Sequence, residues 1–407
     1  MKIAHVVPLR AVGGVERSYS EFIAFRDPAF PIEHHTIALG RGIPPLLDAR
    51  IRAASGSVAL GHYRGTEHIP FSPGALRERH LEAILGELRP DLALFWNKPG
   101  GVALERLPDS LPVVYWERGR AWKEKEEDTT RRFLGGVRAV LCNSRASRRF
   151  LELRWQLPES VEVRICENAV RPEAVGPTAD RSLCADQPLR LGFAGRLVAV
   201  KGASLTLHAV AELRRRGRAC ELLIAGEGPE RAALGDLVGR LGLAGQVHFL
   251  GLVDDMPGFF REVDCLLCPS LREPFGLVAA EAFANGCPVV ATHVDGLAEV
   301  VDDRRVGRSV VPLLPLARYR DYGGDPDDVP PRIYDPVEDA LVPPRVPDPD
   351  RLADAVLELV DPPERFGERS RLARELAAKR FDFGQHVRGV LSILAEIAEL
   401  PASPARG

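Results

Sequence analysis

A chain of 407 residues is too long for one comfortable hydrophobic core and fits two α/β domains of ordinary size. Its formal charge of -3, with 27% charged residues, excludes a global affinity for nucleic acid, so any bound anion must be held by a local cluster. No apolar run approaches the roughly 18 residues that cross a bilayer. The start, MKIAHVVP, lacks the apolar core of a secretory signal, and seven scattered cysteines argue against a disulfide scaffold, so a cytoplasmic protein is expected.

Taken in chain order, the first half alternates short β-like runs with helical or polar ones: KIAHVVP, HTIAL, DLALFW, PVVYW, AVLCNS and VEVRIC. That rhythm predicts a parallel-sheet domain over residues 1–170. Between its first strand and first helix stand Gly13 and Gly14, a pair that lets backbone approach a ligand closely; the G-x-G-x-x-G of NAD-binding proteins is missing. Residues 171–188 lose all periodicity and read as a linker. The rhythm restarts over 189–380 with LRLGFAG, ELLIAGEG, QVHFLG, DCLLCPS and PVVATHV, predicting a second Rossmann-like domain. Within it Cys265 and Cys268 form a C-x-x-C, read as buried structural cysteines on opposite sides of a strand and not as metal ligands. Residues 312–349 hold ten of the 34 prolines and read as a long, mostly irregular insertion, either a lid or a surface loop. Helices follow from about 350, from 364 to 379 and over 383–400, ahead of a tail, 401–407, expected to be disordered.

The densest chemistry lies in REPFGLVAAEAFANGCPVVAT, where Glu273 and Glu281 flank a glycine turn that opens a helix. The amides of Phe275, Gly276 and Leu277 become the unpaired donors of that helix start, suited to phosphate or a sugar hydroxyl. Alone, the pattern fits equally a first-turn acid favoured by the helix dipole and a solvated glutamate. GRLVAVKG adds Arg196 just after one strand and Lys201 just before the next helix, two cations suited to a diphosphate at the carboxyl end of a sheet. The glycine immediately before the lysine of a Walker A loop is absent, which disfavours ATP hydrolysis.

GRLVAVKG, AGEGPER, VHFLGLVDD, the E-x7-E of EPFGLVAAE and GLAEVV stand in the order and approximate spacing seen in the retaining GT-B glycosyltransferases of family 4, which the chain resembles most strongly from Leu189 to Val301. The resemblance implies an α/β GT-B fold: two Rossmann-like β/α/β domains, an interdomain cleft, and a C-terminal helix, 381–400, returning to the N-terminal domain. It implies a donor site in which Arg196 and Lys201 hold the pyrophosphate, Glu281 the ribose hydroxyls and Glu273 the transferred sugar. Phe275, Gly276 and Leu277 would offer amides, Leu252 and Val253 would border the base, and Gly13 and Gly14 would lie near the phosphates. Arg196, Lys201 and Glu273 would be the catalytic set. The implied activity is retaining transfer, of a hexose by preference, from a UDP- or GDP-linked sugar to a glycan, lipid-linked or small-molecule acceptor, with no cofactor and no metal.

Many relatives carry a histidine where PVVYWERGRAW has Glu117 and Arg118, so the acceptor side departs from the family pattern. Arg17, Asn97, Glu117 and Arg118 are the acceptor-side candidates, with Glu117 either a general base or sugar contact or part of a differently packed loop. Residues 118–154 hold eleven Lys or Arg against five Asp or Glu; a solvated surface is preferred there over peripheral contact with an anionic membrane. The rival functions are a nucleotide-sugar epimerase or hydrolase of the same fold and a non-catalytic nucleotide-sugar-binding protein.

Overall fold

The computed structural model describes residues 1–9, 13–40, 42–65, 67–70, 75–100, 102–123, 127–178, 181–184 and 187–399. The expected disordered tail, 401–407, lies outside them. The chain divides into two compact units, Met1–Glu167 with Gly384–Gly407, and Asn168–Phe383.

In the first unit, strands β1 (Lys2–Val7), β2 (Glu33–Ala38) and β3 (Ser57–Leu60) precede a small hairpin of β4 (Tyr63–Arg64) and β5 (Glu67–His68). Strands β6 (Leu92–Trp96), β7 (Val113–Glu117), β8 (Ala139–Cys142) and β9 (Glu162–Ile165) complete it, with helices α1 (Gly14–Ala24), α2 (Pro45–Ala54), α3 (Ala75–Leu88), α4 (Glu127–Gly136) and α5 (Arg145–Trp155) between. The sheet order is β3-β2-β1-β6-β7-β8-β9 and every pairing is parallel. The runs LALFW and VVYWE are buried end to end, which is why continuous apolar stretches marked them as central strands.

The second unit contains β10 (Leu189–Ala194), α6 (Ala203–Arg215), β11 (Cys220–Ala225), α7 (Arg231–Arg240), β12 (Val247–Gly251), α8 (Met256–Glu262), β13 (Cys265–Cys268), α9 (Leu277–Ala284), β14 (Val289–Thr292), α10 (Leu297–Val300) and β15 (Gly307–Val310). Its parallel order is β12-β11-β10-β13-β14-β15, so the chain reverses direction across the sheet between β10 and β13. Alternate residues feed two cores: Cys265 and Leu267 face one, Leu266 and Cys268 the other. Both cysteines are buried and free. Fully burying each leucine or phenylalanine in these cores contributes roughly 1.5–3 kcal/mol.

Two stretches differ from their sequence reading. The 312–349 insertion is folded: it forms pairs β16 (Leu314–Pro315) with β19 (Arg345–Val346) and β17 (Ile333–Asp335) with β18 (Ala340–Val342), around a 3-10 helix, Leu316–Tyr322. Tyr319 and Val346 are buried in the unit's core, so side-chain anchors hold what the prolines keep out of helix and central strand. The stretch read as a linker, 171–188, lies in the second unit, and its described residues are docked there. Asn285 donates to Ala174 O at 2.7 Å and accepts from Gly176 N at 2.8 Å, while the Arg181 guanidinium caps the carbonyls of Phe260 at 3.2 Å and Gly286 at 3.1 Å.

After α11 (Pro349–Val360) and α12 (Phe366–Arg380), α13 (Phe383–Glu399) closes the described chain, and Gly384 onward belongs to the first unit. Val387, Val390, Leu391, Leu394 and Ile397 form its buried stripe at helical spacing, and Arg388 Nε donates to Asp27 at 2.6 Å. No helix among the described residues is long and apolar enough to cross a membrane.

Candidate functional site

Three loops at the carboxyl ends of β10, β12 and β13 carry the donor-side candidates. Those after β10 and β13 flank the point where the sheet order reverses, the crevice at which open α/β sheets bind ligands. After β10, Arg196 is exposed and forms no ion pair among the described residues, and the chain tightens into a 3-10 turn, Ala199–Lys201. Gly202 ends that turn at φ +69°, and a Cβ there would sit 2.2 Å from Pro269 O. Only glycine lets the lysine turn press against the β13 loop, where Leu271 N donates to Val200 O at 2.9 Å.

That close approach brings Lys201 Nζ into direct hydrogen-bonded contact with Glu273 Oε2, the two side chains 26% and 15% exposed. Beyond Glu273 the chain enters α9 through Gly276 at φ +99°, the helix N-cap, packed so tightly on Leu297 that a Cβ would meet its side chain at 2.5 Å. The amides of Phe275 and Gly276 donate to no acceptor among the described residues, and Leu277 opens the helix. The result is a cation and a carboxylate beside a set of free N–H groups at a helix start, a surface able to bind phosphate oxygens and sugar hydroxyls together.

Glu281, one helical turn on, is reached by Arg171 Nη at 3.8 Å, an ion pair the sequence did not announce. Leu252 and Val253 follow β12, with Leu252 82% exposed. The structure therefore joins Lys201 with Glu273, sets Glu281 on the helix that follows Glu273, and leaves Arg196 without an ion pair among the described residues on the loop that leads to Lys201.

Asp295 was missed. It sits in an Asp-Gly turn after β14 at φ +44°, fully buried, and its carboxylate splits between two duties. Oδ2 accepts from Glu273 N at 2.9 Å and Oδ1 from Tyr334 N of the insertion at 2.7 Å. Tyr319 OH, also of the insertion, donates to Ala199 O at 2.7 Å. The insertion thus supports both turns that carry the ion pair. An Asp-Gly dipeptide after a strand was the available signal; the partners it would find were not.

On the first unit, Asn97 and Glu117 lie together at the ends of β6 and β7. Asn97, at φ +47°, accepts from Arg118 N and Arg120 N, both at 3.0 Å. Glu117 is fully buried; its carboxylate accepts from Tyr115 OH at 2.5 Å, from Ala121 N at 3.1 Å and from Gly119 N. Burial pushes its pKa up, opposed by those hydrogen bonds. Glu117 is a buttress for the turn after β7, the differently packed loop of the two alternatives, because a carboxylate occupied by that many donors has no face left for a substrate. Arg118 lies over the Trp116 and Trp96 rings, 5.0 and 5.7 Å from their centroids. Arg17 is exposed on α1, away from this group in sequence and without an ion pair among the described residues. Gly13 caps α1 with its amide bound to Glu16 Oε2 at 3.1 Å, and Gly14 is exposed. In the basic stretch, Arg148 and Arg149 both bind Glu152, and Arg154 lies 4.7 Å from the Trp155 centroid, so part of the charge excess is spent locally.

Residues 188–315 match the family model of the glycosyl transferases group 1. An uncharacterised glycosyltransferase of Methanocaldococcus jannaschii is 40% identical over 125 residues, 30% of this chain and 32% of that protein. A D-inositol 3-phosphate glycosyltransferase of an Arthrobacter species is 31% identical over 234 residues, 53% of this chain and 54% of that protein. The chain thus spans about a third to about half the length of these curated relatives. The Anabaena protein HepE, solved in complex with UDP, is 18% identical but superposes with a TM-score of 0.70 over 97% of this chain and 100% of its own. The fold is GT-B.

Proposed function

We propose that the chain is a retaining, metal-independent glycosyltransferase that moves a hexose from a nucleoside diphosphate sugar to a sugar or small-molecule acceptor, working in the cytoplasm. The observation that carries the reading is the Lys201–Glu273 pair beside the free amides of Phe275 and Gly276, at the crevice of a group 1 segment. Support comes from the UDP held by the Anabaena neighbour and from the glycosyl transfer named for the Arthrobacter relative.

In this reading Arg196, Lys201 and the amides of Phe275, Gly276 and Leu277 hold the pyrophosphate, Glu273 the hydroxyls of the transferred sugar, and Glu281 the ribose, with Leu252 and Val253 at the base. The bond from the anomeric carbon to the β-phosphate oxygen breaks, and its electron pair stays on the diphosphate. An acceptor hydroxyl oxygen bonds to the anomeric carbon on the same face, and its proton passes to the departing phosphate oxygen. Fixed cations at that oxygen meet charge that exists only as the bond breaks, so they lower the barrier more than they tighten ground-state binding. Lys201 is preplaced for this, because Glu273 holds its ammonium while Glu273's own amide is fixed by Asp295.

Incubation with a panel of nucleotide sugars, with and without acceptors and with excess chelator, tests the reading. Transfer that needs an acceptor, keeps the anomeric configuration and survives the chelator is the expected outcome. Turnover of the donor to an epimer or free sugar, indifferent to acceptor, would replace transfer with the epimerase or hydrolase reading.

A further inference from the structure

Arg118 is anomalous among the arginines of the first unit. It stands at the carboxyl end of β7, deep enough that burial lowers its pKa to about 10, yet its side chain is still partly exposed. Among the described residues its guanidinium donates to no acceptor and meets no carboxylate within ion-pairing distance. Its nitrogens are open to solvent and so to a ligand, while a half-buried charge with no counter-charge among the described residues is costly to keep.

Three described groups close to it do not compensate it. Glu117, the adjacent carboxylate, is taken up by Tyr115, Gly119 and Ala121. The Cys166 thiol is pushed up to about 12 by burial, with Arg118 pulling against that, so it is not a thiolate at neutral pH. His386 of α13 is held down to about 3, by burial first and the charge of Arg118 second, so it stays neutral and adds no second cation. What Arg118 does have is a rigid seat: its amide is fixed by Asn97 and its guanidinium lies over two buried indoles, an arrangement that orients the fork without neutralising it.

We infer that Arg118 is the docking point for an oxyanion carried by the acceptor, a phosphate or carboxylate group on the molecule that is glycosylated. That the ligand is an acceptor rests on the transferase reading above; that it is an oxyanion rests on the first unit alone. A guanidinium fork matches a phosphate or carboxylate with two parallel hydrogen bonds, and the site supplies the donors and the orientation while none of the described residues supplies the negative charge. A neutral sugar hydroxyl would leave the charge uncompensated.

All four tryptophans, Trp96, Trp116, Trp122 and Trp155, lie in the first unit, and two of them flank Arg118, so indole emission of the full chain reports this site without a donor present. Titrations with glucose, glucose 6-phosphate, glucuronate and inorganic phosphate separate the cases. Glucose 6-phosphate or glucuronate, whichever carries the right oxyanion, should give a saturable change that glucose does not, weakened by added salt. Arg118→Gln should weaken it by at least about tenfold, with Arg118→Lys in between, because the lysine keeps the charge and loses the fork. Circular dichroism checks that the variants fold; if Arg118→Gln does not, the wild-type contrast between charged and neutral sugars decides by itself. Equal titration by glucose and its charged derivatives, or unchanged affinity in a folded Arg118→Gln, overturns the inference. Because no donor is used, that failure leaves the transferase reading standing, and a chain that binds oxyanions here yet transfers to no acceptor refutes the transferase reading alone.

Discussion

The two units share a parallel-sheet plan but place their polar chemistry differently. The first buries titratable groups inside its sheet: His5 on β1, His34 and His35 on β2, and Glu117 on β7. His5 bridges Trp96 and His34, accepting from the indole at 3.0 Å and meeting the second imidazole at 2.9 Å. The second buries its strand β13 end to end with apolar residues and cysteines and carries Lys201 and Glu273, its donor-side candidates, in loops at the strand ends. A buried network must be fully satisfied to hold a fold, whereas loop-end groups can be left for a ligand. The first unit should therefore be fragile to pH and to loss of a polar partner, and the second robust in fold but sensitive in function.

Substitutions sharpen that contrast. Lys201→Ala should cut turnover by roughly a hundred- to a thousandfold, the cost of one donor aimed at developing charge, while the melting temperature stays close to wild type. A variant that melts early instead would make the lysine structural and erase the distinction. On the other side, Glu117→Ala should destabilise the first unit by about 3 kcal/mol, because Gly119 N, Ala121 N and Tyr115 OH lose their acceptor in a dry site; chemical denaturation followed by tryptophan emission measures it.

Acid probes the same difference. Burial, helped by the charge of Arg26, lowers His34 from 6.5 to about 4, and burial lowers His5 well below its ordinary value. A folded pKa below the unfolded one means that the unfolded chain binds more protons between about 4 and 6.5, so stability is full above that window and falls as pH drops through it. His34 alone is worth up to about 3 kcal/mol across the range. Glu117 acts in the opposite sense, since a raised carboxyl pKa costs stability as pH rises, so Glu117→Gln should steepen the acid loss seen by tryptophan emission. His208 and His293 of the second unit shift downward too, but each is only partly buried, and the effect there should be smaller. The smallest change expected is Tyr319→Phe, which removes the hydrogen bond to Ala199 O at a cost of about 1 kcal/mol and should raise the donor KM more than it lowers kcat.

Much of this was legible in the sequence, for reasons that differ by element. Buried parallel strands are continuous apolar runs, so LALFW, VVYWE and CLLC could be read directly, while β3 and β15, four residues each and half-exposed, could not. Prolines marked 312–349 as neither helix nor central strand, yet its order comes from Tyr319 and Tyr334 reaching residues far away in the chain, which no local period encodes. The same holds for the stretch after Val170, docked by Asn285 and Arg181. At the site, glycine turns and charges exposed Lys201 and Glu273, but Arg171 and Asp295 act through partners more than twenty residues away. Glu117 illustrates the reverse: a carboxylate beside a strand end looked chemical and proved to be a buried acceptor for its own turn.

Calorimetric titration of the full chain with UDP and GDP, repeated on Lys201→Ala, addresses the donor site most directly. Saturable one-to-one binding of at least one of them, weakened about tenfold or more in the variant, is the predicted result, since a charge-assisted contact to phosphate is lost. Binding of neither nucleotide, or equal affinity in both proteins, would contradict the assignment of the Lys201–Glu273 turn as the seat of a nucleoside diphosphate.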